Sequence, residues 1–249
     1  MELADVMTKL EAMGNASAKP LLMRHGAREP FFAVRIGDLK AIVKQIKKDQ
    51  QLALALYATG NSDAMYLAGL IADDAAFTKE ELQRWAEQAY WSLLSESTVA
   101  WVAAGNRHGW ELALAWIDSD HEMLAAAGWS TLCGIVAMRP DSELDLTTLA
   151  RLLERVQSTI HTYPPNRVRY AMNNFVINVA AYVAPLHGQA CAVADAVGVV
   201  RVDMGGTACK VPFAPEYIQK MADRNMIGKK RAMVMNTTIP ARHKPLASP

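Results

Sequence analysis

Hydrophobic residues recur along most of the chain at the three- and four-residue spacing of helices, and convincing strand alternation is nearly absent. The best-defined helix is expected after Pro165, because its apolar face runs to Val183 and Pro185 terminates it. The pattern predicts roughly ten to twelve helices joined by short turns, in antiparallel pairs that recur about every 40 residues. The sequence therefore predicts an all-α fold, either a bundle or an α-solenoid of stacked helix pairs.

Two helix starts can be read from capping residues. Thr78 and Glu81 have the spacing of a capping box, and Ser119 with Glu122 repeats that spacing. Residues 198–203 form the one plausible extended segment, which leads into a glycine-rich loop. The pattern indicates a single helical repeat domain over residues 1–228, followed by a basic tail over residues 229–249.

Composition narrows the class of protein. The chain has 249 residues, of which 51% are hydrophobic and 20% charged, and this balance excludes disordered and low-complexity architectures. No apolar run is long enough for a membrane helix, and the start lacks the basic and apolar regions of a signal peptide. Only 3 cysteines are present, which fits a reducing compartment. We expect a cytoplasmic protein with no membrane partner.

Charge is distributed unevenly along the chain. Residues 51–150 carry 14 acidic and 4 basic side chains, whereas basic residues prevail before and after this middle part. A nucleic acid would meet the basic ends, since phosphate neutralisation by lysine and arginine dominates such binding. The acidic middle could instead face a basic protein partner, and an uneven distribution by chance explains the charges equally well.

Few residues point to metal or cofactor chemistry. The 6 histidines show no metal-ligand spacing, no phosphate-binding loop motif occurs, and we therefore expect neither a metal nor a cofactor. Cys209 is a candidate reactive thiol because the neighbouring Lys210 could lower its pKa. An ordinary surface cysteine beside a lysine is the simpler interpretation.

Two polar stripes are candidates for a binding surface. One lies on the helix after Pro165, where helical spacing aligns four polar residues and sets two more beside them: Arg167, Tyr170, Asn174 and Asn178, with Arg169 and Asn173. Arginine and amide groups suit phosphate or planar ligands, but they can equally satisfy backbone groups between helices. The other stripe is basic and follows an arginine-containing turn. The candidate phosphate contacts are Arg24, Arg28, Arg35, Lys40, Lys44, Lys47, Arg167 and Arg169.

The chain resembles a known family at this point. The segment Phe32–Lys40 is similar to a conserved entry segment of the DNA alkylation repair enzymes of the AlkD type, and the helix after Pro165 extends the likeness. The resemblance covers roughly residues 15–200 and implies a superhelix of HEAT-like repeats that holds double-stranded DNA in a cleft. It also implies excision of positively charged alkylated purines, with two tryptophans, an aspartate and an arginine at the lesion.

Carried over one position at a time, the implied site is only partly present. The first tryptophan falls on Trp91 and the second on Phe175, while the aspartate falls on Ser95 and the arginine near Ala126. Glu96, adjacent to the lost acid, is the remaining candidate catalytic carboxylate. The resemblance therefore predicts a DNA-binding HEAT-like protein related to alkylation repair, in which the lost acid and arginine argue against base excision. An active alkylpurine glycosylase that uses Glu96 and a non-catalytic protein-interaction solenoid are the alternatives.

Overall fold

The computed structural model describes residues 1–162 and 164–231. These residues form thirteen α-helices, one π-helical segment (Leu94–Val99) and four short 3₁₀ turns, with no β-strand among them. The helices are α1 (Leu3–Ala12), α2 (Lys19–Arg24), α3 (Leu39–Ile46), α4 (Gln50–Ala58), α5 (Ser62–Ile71), α6 (Lys79–Gln88), α7 (Ala100–Gly105), α8 (Gly109–Trp116), α9 (Glu122–Met138), α10 (Leu146–Thr159), α11 (Asn166–Tyr182), α12 (His187–Val197) and α13 (Ala214–Asp223). The all-α prediction is confirmed.

Local signals placed two elements correctly. Helix α11 begins directly after Pro165 and ends at Tyr182, before Pro185, as the hydrophobic period predicts. At the start of α6, the Thr78 hydroxyl accepts the backbone N–H of Glu81, and the Glu81 carboxylate accepts the backbone N–H of Thr78. This capping box satisfies two of the helix's otherwise unpaired backbone donors.

The capping box predicted for Ser119 and Glu122 is wrong. The Ser119 hydroxyl accepts the N–H of His121, so it is used in the turn that precedes α9. His121 is the N-cap residue instead, and its ring Nδ1 accepts the backbone N–H of Leu124. The helix thus begins later than the motif implies, because the serine oxygen finds a closer donor.

The core lies between consecutive helix pairs and consists of two large hydrophobic clusters. The first joins α1 to α8 and includes Tyr57 stacked on Trp85, with ring centroids 3.9 Å apart. The second joins α8 to α13, and in it Trp129 meets Phe175 edge to face at 5.1 Å. Helices α9 and α11 make the most extensive helix contact of the described residues.

The residues after α12 return along the helices as an extended strap, which we define as residues 198–213. Asn166 binds the backbone of Asp203 with both its amide oxygen and its amide nitrogen, at 2.7 and 2.8 Å. Gly205, at φ +67°, packs so closely on the backbone carbonyl of Arg24 that a Cβ there would collide with it. The strap therefore brings residues that follow α12 against α2, which lies near the start of the chain.

The start of the predicted basic tail packs on the domain. The Lys230 ammonium lies 2.7 Å from the Asp141 carboxylate and donates to the carbonyl of Val136. The Arg231 guanidinium donates to the Tyr182 hydroxyl at 2.7 Å. The rest of that tail, residues 232–249, lies outside the described residues.

Taken singly, none of the described helices combines the length and apolar character that a membrane crossing needs; α11 and α12 pass that test only together, across a bend of 112°.

Candidate nucleic-acid interface

One elongated groove brings together half of the polar residues that sequence reasoning selected. Its main part is a cavity of about 530 Å³ between the π-helical segment, α7, α9 and α11. A second recess of about 280 Å³ continues it between the C-terminal end of α2, the strap and the start of α11. We call this continuous space the central groove; its defining residues are Arg24, His25, Trp91, Glu96, Trp101, Ser130, Cys133, Arg167, Tyr170, Asn174, Asn178, Met204, Cys209 and Arg231.

A paired acid and base occupy the middle of the central groove. The Glu96 carboxylate accepts from both Nε and Nη2 of Arg167, at 2.7 and 2.6 Å. Both side chains are largely buried, with exposed fractions of 11% for Glu96 and 18% for Arg167. The Arg167 guanidinium also lies over the Tyr170 ring, 4.3 Å from its centroid. The pair joins the π-helical segment to α11 and fixes the distance between them.

Burial and the contact between the two side chains have opposite effects on their pKa values. Desolvation raises the pKa of Glu96 above its ordinary value, although the hydrogen bonds and charge of Arg167 oppose that shift. The pKa of Arg167 is also raised: desolvation, the largest single influence, lowers it, but Glu96 outweighs that effect. The pKa of Tyr170 is raised too, first by burial and then by the Glu96 charge. A bidentate guanidinium is the geometry that best compensates a buried carboxylate.

Two consecutive residues of the π-helical segment point in different directions. Ser95, where the family's aspartate falls, is fully buried, and its hydroxyl approaches the Met123 sulfur at 3.7 Å. Glu96, the next residue, enters the groove instead. Segments of π-helix are rare in proteins. Where they do occur, they are often found at functional sites.

The positions carried over for the two tryptophans differ in location. Trp91 lines the groove with an exposed fraction of only 5%, and its indole N–H donates to the Ser62 hydroxyl at 3.0 Å. Phe175 is fully buried against Trp129 and does not line the groove, so its assignment to the lesion site is wrong. Ala126 is likewise fully buried. The groove does contain an acid and an arginine, Glu96 and Arg167, but at sequence positions other than those the resemblance implies.

The four residues of the first polar stripe lie on one face of α11. Arg167, Tyr170, Asn174 and Asn178 all line the central groove. Asn173 does not: it is buried, and its amide donates to the carbonyl of Pro212 at 2.9 Å, which attaches the strap to α11. It serves the backbone between elements, the alternative interpretation of these amides. Arg169, the other residue beside the stripe, does not line the groove either.

The basic residues near the N-terminus divide between the groove and other surfaces. Arg24 lines the groove, while Arg28 lies over the Tyr90 ring, 4.2 Å from its centroid, in a neighbouring recess. Arg35 borders an apolar recess of about 450 Å³. The remaining three, Lys40, Lys44 and Lys47, are exposed but do not line these recesses.

A half-buried carboxylate holds the segment between these arginines. Asp63 accepts three successive backbone N–H groups, from Phe32, Ala33 and Val34, at 2.6, 3.0 and 2.9 Å. Ala33 takes a positive φ of 64°, which such a set of bonds can maintain. Desolvation raises the pKa of Asp63, against the lowering by these bonds. Asp63 thereby fixes the backbone that carries Arg28 and Arg35.

Some groove residues were not predicted. His25, Trp101 and Arg231 line the groove from three separate elements. Burial, followed by the charges of Arg167 and Arg24, lowers the pKa of His25. The available signal for His25 was its place between arginines in a turn, and that for Arg231 was its place in the basic tail.

The other candidate chemistry has less support from the geometry. Cys209 is a free, exposed thiol at the edge of the groove, and its role as a reactive group stays a prediction. Within residues 1–162 and 164–231, no three metal-binding side chains cluster as a metal site would require. The acidic residues of the middle part lie mainly on α6 and in the loops before α6, α9 and α10, and a protein partner for them stays a prediction.

Comparison with known proteins assigns the family. The family model of the DNA alkylation repair enzymes matches residues 6–196. The chain belongs to this family. Two relatives from Listeria support the assignment: Lmo0209 of Listeria monocytogenes is 33% identical over 223 residues, which cover 87% of this chain and 96% of that protein. Lin0241 of Listeria innocua is 32% identical with the same coverage.

A solved structure adds detail within the DNA alkylation repair family. It is 40% identical, superposes with a TM-score of 0.85, and covers 94% of this chain and 100% of its own. That protein is described as one of a new family related to the HEAT-like repeat DNA glycosylases, with affinity for branched DNA structures. The likeness confirms the HEAT-like solenoid and excludes the simple helix bundle.

Proposed function

We propose that this member of the DNA alkylation repair family binds branched DNA through the central groove and the adjoining basic residues near the N-terminus, Arg24 and Arg28, which we call the N-terminal edge. The observation that carries the proposal is the likeness, over its full length, to a protein described as having affinity for branched DNA. The groove supplies the chemistry for such a ligand, because arginines, amides and aromatic rings line it together.

The N-terminal edge is the part best suited to phosphate. Among the described residues, no carboxylate lies within ion-pair distance of Arg24 or Arg28, and both side chains are exposed. Such guanidinium groups can replace the counterions of a nucleic-acid backbone without first breaking a bond within the protein. Arg35, Lys40, Lys44 and Lys47 extend the basic surface along the following residues.

The middle of the groove argues against base excision. A glycosylase of this kind needs a carboxylate that is free to stabilise the positive charge that develops on the sugar. Both oxygens of Glu96 already accept N–H groups from Arg167, and the position of the family's aspartate holds a buried serine. The pair supports a structural role for Glu96, which holds the groove walls together.

The binding proposal is tested by titrating the full-length protein with an immobile three-way junction and with a linear duplex of equal length. We expect tighter binding to the junction, and an affinity that falls steeply as salt rises because several phosphates are neutralised. Equal affinity for both DNAs, or binding that does not respond to salt, would contradict the proposal. Arg224→Gln, at an exposed arginine that directly follows α13 and does not line the groove, should bind both DNAs as the wild type does.

A second candidate, excision of alkylated purines, has one observation in its favour: Glu96 and Trp91 lie in the same groove. It predicts release of 7-methylguanine or 3-methyladenine from alkylated duplex DNA under single-turnover conditions, and loss of that release in Glu96→Gln. We expect the wild-type protein to release neither base. Release that depends on Glu96 would establish this second candidate.

A further inference from the structure

The last turn of α2 exposes apolar side chains beside residues that line the central groove. Leu21 borders the apolar recess that Arg35 also borders, and Met23 lines neither part of the groove. Leu21 and Met23 are 44% and 51% exposed, although residues of this type are usually buried. Leu22, between them, faces inward and lines the groove together with His25. Arg24 follows directly and borders the groove's second recess. We call Leu21, Met23 and Arg24 the α2 crest.

The geometry of a helix gives the crest two apolar sides. Successive helical residues are about 100° apart, so that Leu21 and Met23 point roughly 160° away from each other. Arg24 projects between them, on the side opposite to Leu22. The crest thus presents a leucine on one side, a methionine on the other and a guanidinium along its top.

We infer that the α2 crest inserts into the branch point of the DNA, with Leu21 against the terminal base pair of one arm and Met23 against that of the next. This inference rests on the proposed function and names the feature of branched DNA that is recognised. Arg24 would then face the phosphates that crowd where strands pass from one arm to another, which is the charge complementarity that an apolar surface alone does not supply.

The energetics explain why such a crest prefers a branch to a linear duplex. Apolar side chains that enter a linear duplex must separate stacked bases, which costs a few kcal/mol per base step. At a branch point, the terminal base pair of each arm has already lost stacking on one face. The crest buries apolar surface there without that cost, so it raises affinity for branches only.

The test uses alanine variants at these exposed positions, where folding is not at risk. Leu21→Ala and Met23→Ala together should weaken binding to the three-way junction about tenfold and leave binding to the linear duplex unchanged. Each single variant should show part of the loss. Met226→Ala, at another exposed methionine, is the matched control and should bind both DNAs as the wild type does.

A second readout reports contact with the bases directly. With 2-aminopurine in the terminal base pair of one arm, wild-type protein should raise the fluorescence, and the double variant should not. A double variant that keeps both the junction preference and the fluorescence change would overturn the inference. If the wild-type protein itself shows no junction preference, the proposed function fails instead, and the two failures are therefore distinguishable.

Discussion

The middle of the central groove and its N-terminal edge use arginine in opposite ways. In the middle, Arg167 is mostly buried, and its Nε and Nη2 atoms both donate hydrogen bonds to the Glu96 carboxylate. At the edge, Arg24 is exposed and has no acidic partner among the described residues. The first arginine is committed to the protein and the second is available to a ligand. A list of basic residues near a cleft therefore says little until their partners are known.

The largest expected difference between the two regions is in how much loss of the arginine lowers the free energy of unfolding. Arg167→Met leaves the Glu96 carboxylate buried without its partner, and we expect it to lower the free energy of unfolding by about 3 kcal/mol. Urea denaturation measures this. The double variant Glu96→Gln with Arg167→Met should regain most of the loss, because no uncompensated charge remains. An Arg167→Met protein as stable as wild type would show that the pair does not hold the groove.

An intermediate effect is expected at the edge. Arg24→Gln should weaken DNA binding about fivefold and reduce the salt dependence by roughly one phosphate contact. Because Arg24 is exposed, its loss should change the free energy of unfolding by less than about 0.5 kcal/mol. Titrations at several salt concentrations measure the first effect, with Arg224→Gln as control. If Arg24→Gln destabilised the protein as strongly as Arg167→Met, the distinction between the regions would fail.

The smallest effect concerns pH, through His25, which lies between the two regions. Burial and the charges of Arg167 and Arg24 lower the pKa of His25 in the free protein. Bound phosphate would offset those charges and raise that pKa, so that DNA binding takes up a proton. Affinity should therefore rise about threefold as the pH falls from about 7.5 to about 5.5.

The control for this prediction is His108→Gln, a histidine that contacts Arg107 and does not line the groove. It should keep the pH dependence of the wild type, whereas His25→Gln should bind with equal affinity at both pH values. A pH dependence that survives in His25→Gln would assign it to another group.

Some features that depend on nearby residues were predictable from the sequence, although the capping box at Ser119 and Glu122 was predicted wrongly. The apolar period and flanking prolines placed α11, and the capping spacing placed the start of α6. The pair of Glu96 and Arg167 was not predictable, because its partners lie far apart in sequence and meet only when successive repeats stack. Glu96 enters the groove from a π-helical segment, which the apolar spacing of the sequence did not predict. The sequence suggested separate roles for Glu96 and Arg167, and only the packing shows that their charges neutralise each other.

The contact between Gly205 and Arg24 has a consequence for how the whole array of repeats behaves. In an open solenoid each repeat touches only its neighbours, so the terminal repeats fray first and unfolding spreads inward. Here the strap fastens the late part of the chain to α2, and an early and a late repeat protect each other. Native-state hydrogen exchange should then show similar protection in α2 and in the residues that hold the strap, rather than a gradient towards the ends. We therefore expect the array of repeats to unfold as one cooperative unit rather than progressively from its ends.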